Sequence, residues 1–168
     1  MVKIFLVTIL TVTFFACKKS SSDHCNPEYI AYRFQNSMNI DTISLVSTNP
    51  SLDLFWYTIS PGNKIVFTYT YQFRDCPEIA DDEGVKTIVF EIPQQSDSFV
   101  LDDSMEFKTA KCLIRFACFC NSGEPALFKH GVIEGTRLST NSWKLKASLQ
   151  VPWNTQETIT FDNVFTLK

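Results

Sequence analysis

Two stretches of strict alternation constrain this chain most. Ile65, Phe67, Tyr69, Tyr71 and Phe73 alternate with Val66, Thr68, Thr70 and Gln72, and Trp143, Leu145, Ala147, Leu149 and Val151 alternate with Lys144, Lys146, Ser148 and Gln150. A period of two places each apolar set on one face of an extended strand, whereas a helix would scatter the same residues around its axis. The second stretch has one lysine-rich, wet face, which is the pattern of antiparallel sheets.

Other segments read as shorter strands: Tyr29–Gln35, Thr42–Val46, Leu54–Ile59, Val85–Ile92, Phe99–Leu101, Cys112–Cys120, Phe128–Leu138 and Thr158–Leu167. Between Leu54–Ile59 and the Ile65 strand, Ser60-Pro61-Gly62-Asn63 has the residues of a type II turn. Gly131 and Gly135 mark bulges or close backbone approaches. Asp75–Gly84 and Pro152–Glu157 read as loops, and Asp102–Lys108 fits either a strand or one helical turn. Short strands at regular spacing, with no convincing amphipathic helix, predict an all-β domain. The expected architecture is an antiparallel two-sheet sandwich of immunoglobulin-like type, with a closed lipocalin-like barrel as the alternative.

The N-terminus has a different character. Lys3 precedes an apolar run from Ile4 to Phe15, followed by Ala16-Cys17 and the polar stretch Lys18-Lys19-Ser20-Ser21-Ser22-Asp23. The run is too short for a spanning helix, which needs about 20 apolar residues, and a short run ending at a small residue is the mark of a removable signal. These residues resemble the signal and lipobox of bacterial lipoproteins, with Phe14 and Phe15 in places where Bacteroidota lipoproteins tolerate bulk. The resemblance implies cleavage after Ala16, a lipid on Cys17 and anchorage in the bacterial cell envelope. Lys18 after the lipid site directs the expectation to the outer membrane. Residues 1–16 are then the signal peptide, 17–24 the lipidated cysteine with a polar tether, and 25–168 a single β domain. From the Cys-rich strand through the Trp143 strand to the last strand, the chain also resembles small Bacteroidota β-sandwich lipoproteins, a likeness that implies a compact β domain and no particular activity.

The chain has six cysteines and a net charge of −3. The charge argues against nucleic acid as a partner, since that partner needs a basic face. Past Cys17, five cysteines remain: Cys25, Cys76, Cys112, Cys118 and Cys120. Export permits disulfides, and an odd count leaves at least one thiol free, intermolecular or buried as a small apolar side chain. The spacing favours Cys76 joined to one of Cys112, Cys118 or Cys120, with Cys25 tying the N-terminus to the domain. A metal is not expected, because His24 and His130 are the only histidines and no second ligand pair stands at zinc spacing. The acidic run Asp81-Asp82-Glu83 lacks the ladder of a calcium loop.

No catalytic residues are expected. The chain has no Gly-x-Ser-x-Gly elbow, and His130 belongs to a hairpin surface. Asp41-Thr42-Ile43 and Asp103-Ser104-Met105 resemble Bacteroidota O-glycosylation acceptors. The stronger lead is aromatic: Trp153 sits between Pro152 and Asn154, and Trp56 between Phe55 and Tyr57, where neighbouring side chains take opposite faces. Trp56 and Trp153 are the candidate binding residues, and Trp143 is a core residue. The expectation is a lipid-anchored binding or structural module, with envelope proteins or glycans as partners and no cofactor. A carrier of a small lipophilic ligand is the alternative, and a hydrolase the least favoured reading.

Overall fold

The computed structural model describes residues 28–73, 84–118 and 123–168. The expected signal and lipid site through Cys17, the tether to residue 24, Cys25, Cys76, Cys120 and the acidic run at 81–83 lie outside the described residues.

The chain is all-β. The strands are β1 (Tyr29–Leu45), β2 (Leu54–Gln72), β3 (Gly84–Pro93), β4 (Ser98–Leu101), β5 (Leu113–Cys118), β6 (Ala126–Leu127), β7 (Gly131–Ser139), β8 (Ser142–Val151) and β9 (Asn154–Leu167), and a short helix α1 (Ser104–Thr109) precedes β5. All nine strands join one mixed sheet in the order β3-β5-β6-β2-β1-β9-β8-β7-β4, with β3 also pairing β2. All but one of the pairings are antiparallel. The exception is β1 with β9, which run parallel at Arg33–Thr166 and Phe34–Leu167.

Four of the expected strands are two long ones. Tyr29–Gln35 and Thr42–Val46 merge into β1, and Leu54–Ile59 merges with the Ile65 strand into β2. The expected type II turn at Ser60-Pro61-Gly62-Asn63 is therefore corrected to a bulge inside β2. Met38 faces both Pro61 and Lys64 across the ladder, so the residues between them are extra. Gly62 does not take the positive φ that a type II turn would require. It leaves room for Asn39 instead: a Cβ there would come within 2.0 Å of the Asn39 side chain. On β1 the same bend is made by Ser37, at φ 56°. A bulge adds twist and redirects both strands without ending their pairing.

The bend gives the β2–β3–β5 segment apolar residues on both faces. Ile65, Phe67, Tyr69, Ile88, Phe90 and Ile114 point to a large core shared with Phe34, Phe107, Phe128, Ile133, Trp143, Leu145, Leu149, Phe161 and Phe165. Val66, Val89 and Leu113 point the other way, into a smaller core with Ile40 and Leu127. There the far half of the β1–β2 hairpin folds over them with Met38, Phe55, Tyr57 and Ile59. Burying each large apolar side chain contributes roughly 1.5–3 kcal/mol, so both faces resist water.

The large core is aromatic. The Phe67 ring lies 4.9 Å from Phe90, stacked, and 5.4 Å from Trp143, edge to face, centroid to centroid. Gly135 is a close approach, because the Phe99 ring occupies the space of its missing Cβ. Trp143 is buried, as its alternation required. Burial also raises the thiol pKa of Cys112, a free cysteine of this core. Cys112 is thus withdrawn from the candidate disulfide set and is buried as a small apolar side chain. Cys118 is disulfide-bonded.

The ambiguous segment at 102–108 resolves as helix from Ser104. Asp103 caps it, its Oδ1 accepting from the Glu106 N–H at 2.7 Å, and Glu106 reaches back to accept from the Asp102 N–H at 2.8 Å. The first bond satisfies a donor that a helix start leaves open, and the second ties the residue before the cap to the first turn.

Candidate functional site

The far half of the β1–β2 hairpin has two unlike faces. Cross-strand partners lie on the same side of an antiparallel pair. The pairs Ile40–Ile59, Thr42–Tyr57 and Ser44–Phe55 face inward, and Asp41–Thr58, Ile43–Trp56 and Leu45–Leu54 face outward. Ile40, Ile59, Tyr57 and Phe55 take part in the smaller core. Among the described residues nothing comparable covers the outer face: Ile43 is 67% exposed and its partner Trp56 50%.

Arg115 of β5 reaches the rim of this hairpin. Its guanidinium carbon is 5.8 Å from the centre of the Trp56 ring, within the range of a cation–π contact. Its Nε is buried without a hydrogen-bond partner. Next to it, burial raises the pKa of the Tyr57 hydroxyl, and the positive charge of Arg115 opposes that rise. The site therefore offers a flat indole face, an aliphatic neighbour and an adjacent cation. Such a set can stack on a sugar ring or receive a planar or acidic group of a protein.

A polar latch holds the hairpin in place. Glu91 of β3 is buried, its Oε2 accepting from the Ile40 N–H at 2.6 Å and its Oε1 lying 3.1 Å from Lys111 Nζ. Lys111 donates in turn to the Ile40 carbonyl. Lys111 itself sits at φ 48°, where α1 turns into β5. A carboxylate and an ammonium thus satisfy both main-chain groups of one residue. Without them those groups would be buried unpaired, which costs about 1–3 kcal/mol each.

Trp153, the other candidate, stands elsewhere. Val151 pairs with Asn154, so Pro152 and Trp153 are the two turn residues of the β8–β9 hairpin, and Trp153 is 41% exposed at its tip. No ring or cation contact joins it to Trp56 or Arg115 among the described residues. His130 is exposed before β7, and its carbonyl accepts from the Gln150 N–H. Asp102, Asp103 and Glu106 cluster closely enough to hold a cation, but two of their oxygens are spent on the start of α1.

Two apolar grooves flank α1. One, about 230 Å³, is lined by Ile92, Phe99, Leu101, Met105 and Ala110 among others. The second, about 140 Å³, is lined by Thr42, Phe55, Lys108, Lys111, Leu113 and Leu127. Both open to solvent and fall below the roughly 300–1,000 Å³ of a small-molecule pocket.

The latch and Arg115 were not singled out from the sequence. A signal existed: Glu91 shares its strand phase with Val89, while Ile88, Phe90 and Ile92 occupy the other phase. Both phases of β3 are apolar, so a charge in either one must be buried and needs a partner.

No family model, no curated protein and no solved structure matches the chain.

Proposed function

We propose that this chain is a lipid-anchored protein of the bacterial envelope, held by Cys17 in the outer membrane and acting as a binding module through the outer face of the β1–β2 hairpin. The carrying observation is the exposed Ile43–Trp56 pair with Arg115 against the indole. An indole half in water with a cation against it is the kind of anchor that dominates interfaces. Its partners are envelope proteins or glycans. A lipophilic-ligand carrier is less well supported, because rings fill the large core where a barrel would keep a chamber.

The finer architecture belongs to the same reading. The β7–β8–β9 meander supplies Ile133, Trp143, Leu145, Phe161 and Phe165 to the core that β1, β2 and β3 line with Phe34, Phe67 and Phe90. That supports two layers of an immunoglobulin-like sandwich, curled from a single hydrogen-bonded sheet.

The test has two arms. Intact mass of the mature protein should show loss of residues 1–16 and gain of a diacylglyceryl group, and a retained leader would remove the address. Binding of the full chain to washed envelope fractions and to soluble oligosaccharides should drop tenfold or more in Trp56→Ala, about 1.4 kcal/mol. Equal binding by wild type and variant would remove the hairpin face from the function.

A further inference from the structure

We propose that the open edge of β1, from Thr42 to Val46, takes an extended acidic segment of a partner protein as an added strand. The inference rests on the binding-module reading and gives the partner a chemistry. It begins at Ile40, whose N–H and carbonyl turn away from β2 toward Glu91 and Lys111. Main-chain directions repeat every two residues along a strand, so the N–H and carbonyl groups of Thr42 and Ser44 turn the same way. Among the described residues no strand receives them. Among the described residues β1 pairs with β2 as far as Leu45, and with β9 only at Arg33 and Phe34. The latch covers one position of the edge and leaves the next two open. Val46, which follows, is 99% exposed. An uncovered edge is a template for another chain.

The surroundings select what that chain carries. Beside Thr42 lies the 140 Å³ groove, with Phe55, Leu113 and Leu127 for walls and Lys108 and Lys111 at its mouth. In an added strand, alternate side chains would point into this groove or lie along the outer face beside Ile43 and Trp56. The inward position favours a carboxylate that meets the two ammonium groups, and the outward positions favour apolar side chains. Lys111 is already shared with Glu91, so the exposed Lys108 carries most of the selection. A second copy of this chain is a poorer occupant. Its own edge carries one carboxylate, Asp41, which already accepts from the Ser60 hydroxyl.

The probe is a capped seven-residue peptide alternating valine and glutamate, titrated into the full chain in detergent. Expected are at least tenfold slower hydrogen exchange at the Thr42 and Ser44 amides and at least tenfold weaker binding in Lys108→Glu. The valine–lysine peptide, and a version N-methylated on alternate amides, should give neither effect. Four results would overturn the added strand: no binding at millimolar peptide, binding without protection of Thr42 and Ser44, equal binding of the lysine peptide, or protection that grows with protein concentration alone, which would make a second copy the occupant. If the peptide fails while Trp56-dependent envelope binding persists, the module reading stands and only the added strand falls. If the peptide succeeds while Trp56→Ala binds envelope normally, the edge stands and the aromatic face falls.

Discussion

The two faces of the β2–β3–β5 segment solve one problem by different means. On one, more than twenty buried residues meet around Phe67, whose ring contacts Phe34, Phe90, Phe99, Trp143 and Phe165. On the other, five buried aliphatic residues are covered by half a hairpin. The first face is closed by packing from many strands. The second is too small for that, and Glu91 and Lys111 fasten its cover through the main chain of Ile40. Apolar packing is non-directional and spreads over many neighbours, whereas a latch of three groups depends on each member. The lesson is that the large core holds the domain together, while the small one sets where the candidate binding face is displayed.

The sharpest break of this contrast is Phe67→Ala. Removing the ring at the meeting point of five others should cost about 3–5 kcal/mol, read as a lower denaturant midpoint for the whole domain in one transition. Loss confined to the hairpin would refute the division of labour. Glu91→Ala is expected to cost less, about 1.5–3 kcal/mol. Its signature is local: hydrogen exchange should quicken at Ile40 and along the far half of the hairpin, while amides of β8 and β9 stay protected. Uniform acceleration would show that the two cores unfold as one.

A gentler probe reads the large core alone. Burial raises the Tyr69 hydroxyl pKa to about 12 from its ordinary value of 10.0, with Tyr32 and Glu28 adding to the rise. The folded state therefore favours the neutral phenol. The stability this contributes is complete below pH 10 and is lost as pH climbs from 10 toward 12. Absorbance titration should show Tyr69 among the late-ionising tyrosines, titrating together with unfolding, and Tyr69→Phe should remove that part of the late step while the contribution of Tyr57 stays. Ionisation of Tyr69 at pH 10 in a protein still folded would place it outside the core.

Much of the sheet could be read directly from the chain. The alternation from Ile65 and from Trp143 located the faces of β2 and β8 that meet the large core, because side-chain direction in a strand depends only on position. It read the Ile65 strand as half-buried, whereas Val66 on its other face is buried in the smaller core. The bend at Met38 could not be read, since Pro61-Gly62 suits a turn or a bulge equally and the pairing partner decides between them. Trp56 and Trp153 were both visible as candidates. Their separation was not, because one stands at the β8–β9 tip and the other on the β1–β2 face, and only the fold sets those two places apart.

Sequence alone determined that this chain is extended and that Trp143 and Phe67 are inside. Tertiary structure decided that Glu91 meets Lys111 across a bent hairpin, that Arg115 lies against Trp56, and that among the described residues no strand pairs with the edge at Thr42 and Ser44. The physical reason is range. Periodicity is a local property of the backbone, whereas ion pairs, stacked cations and free edges depend on which distant segments the bulge brings together.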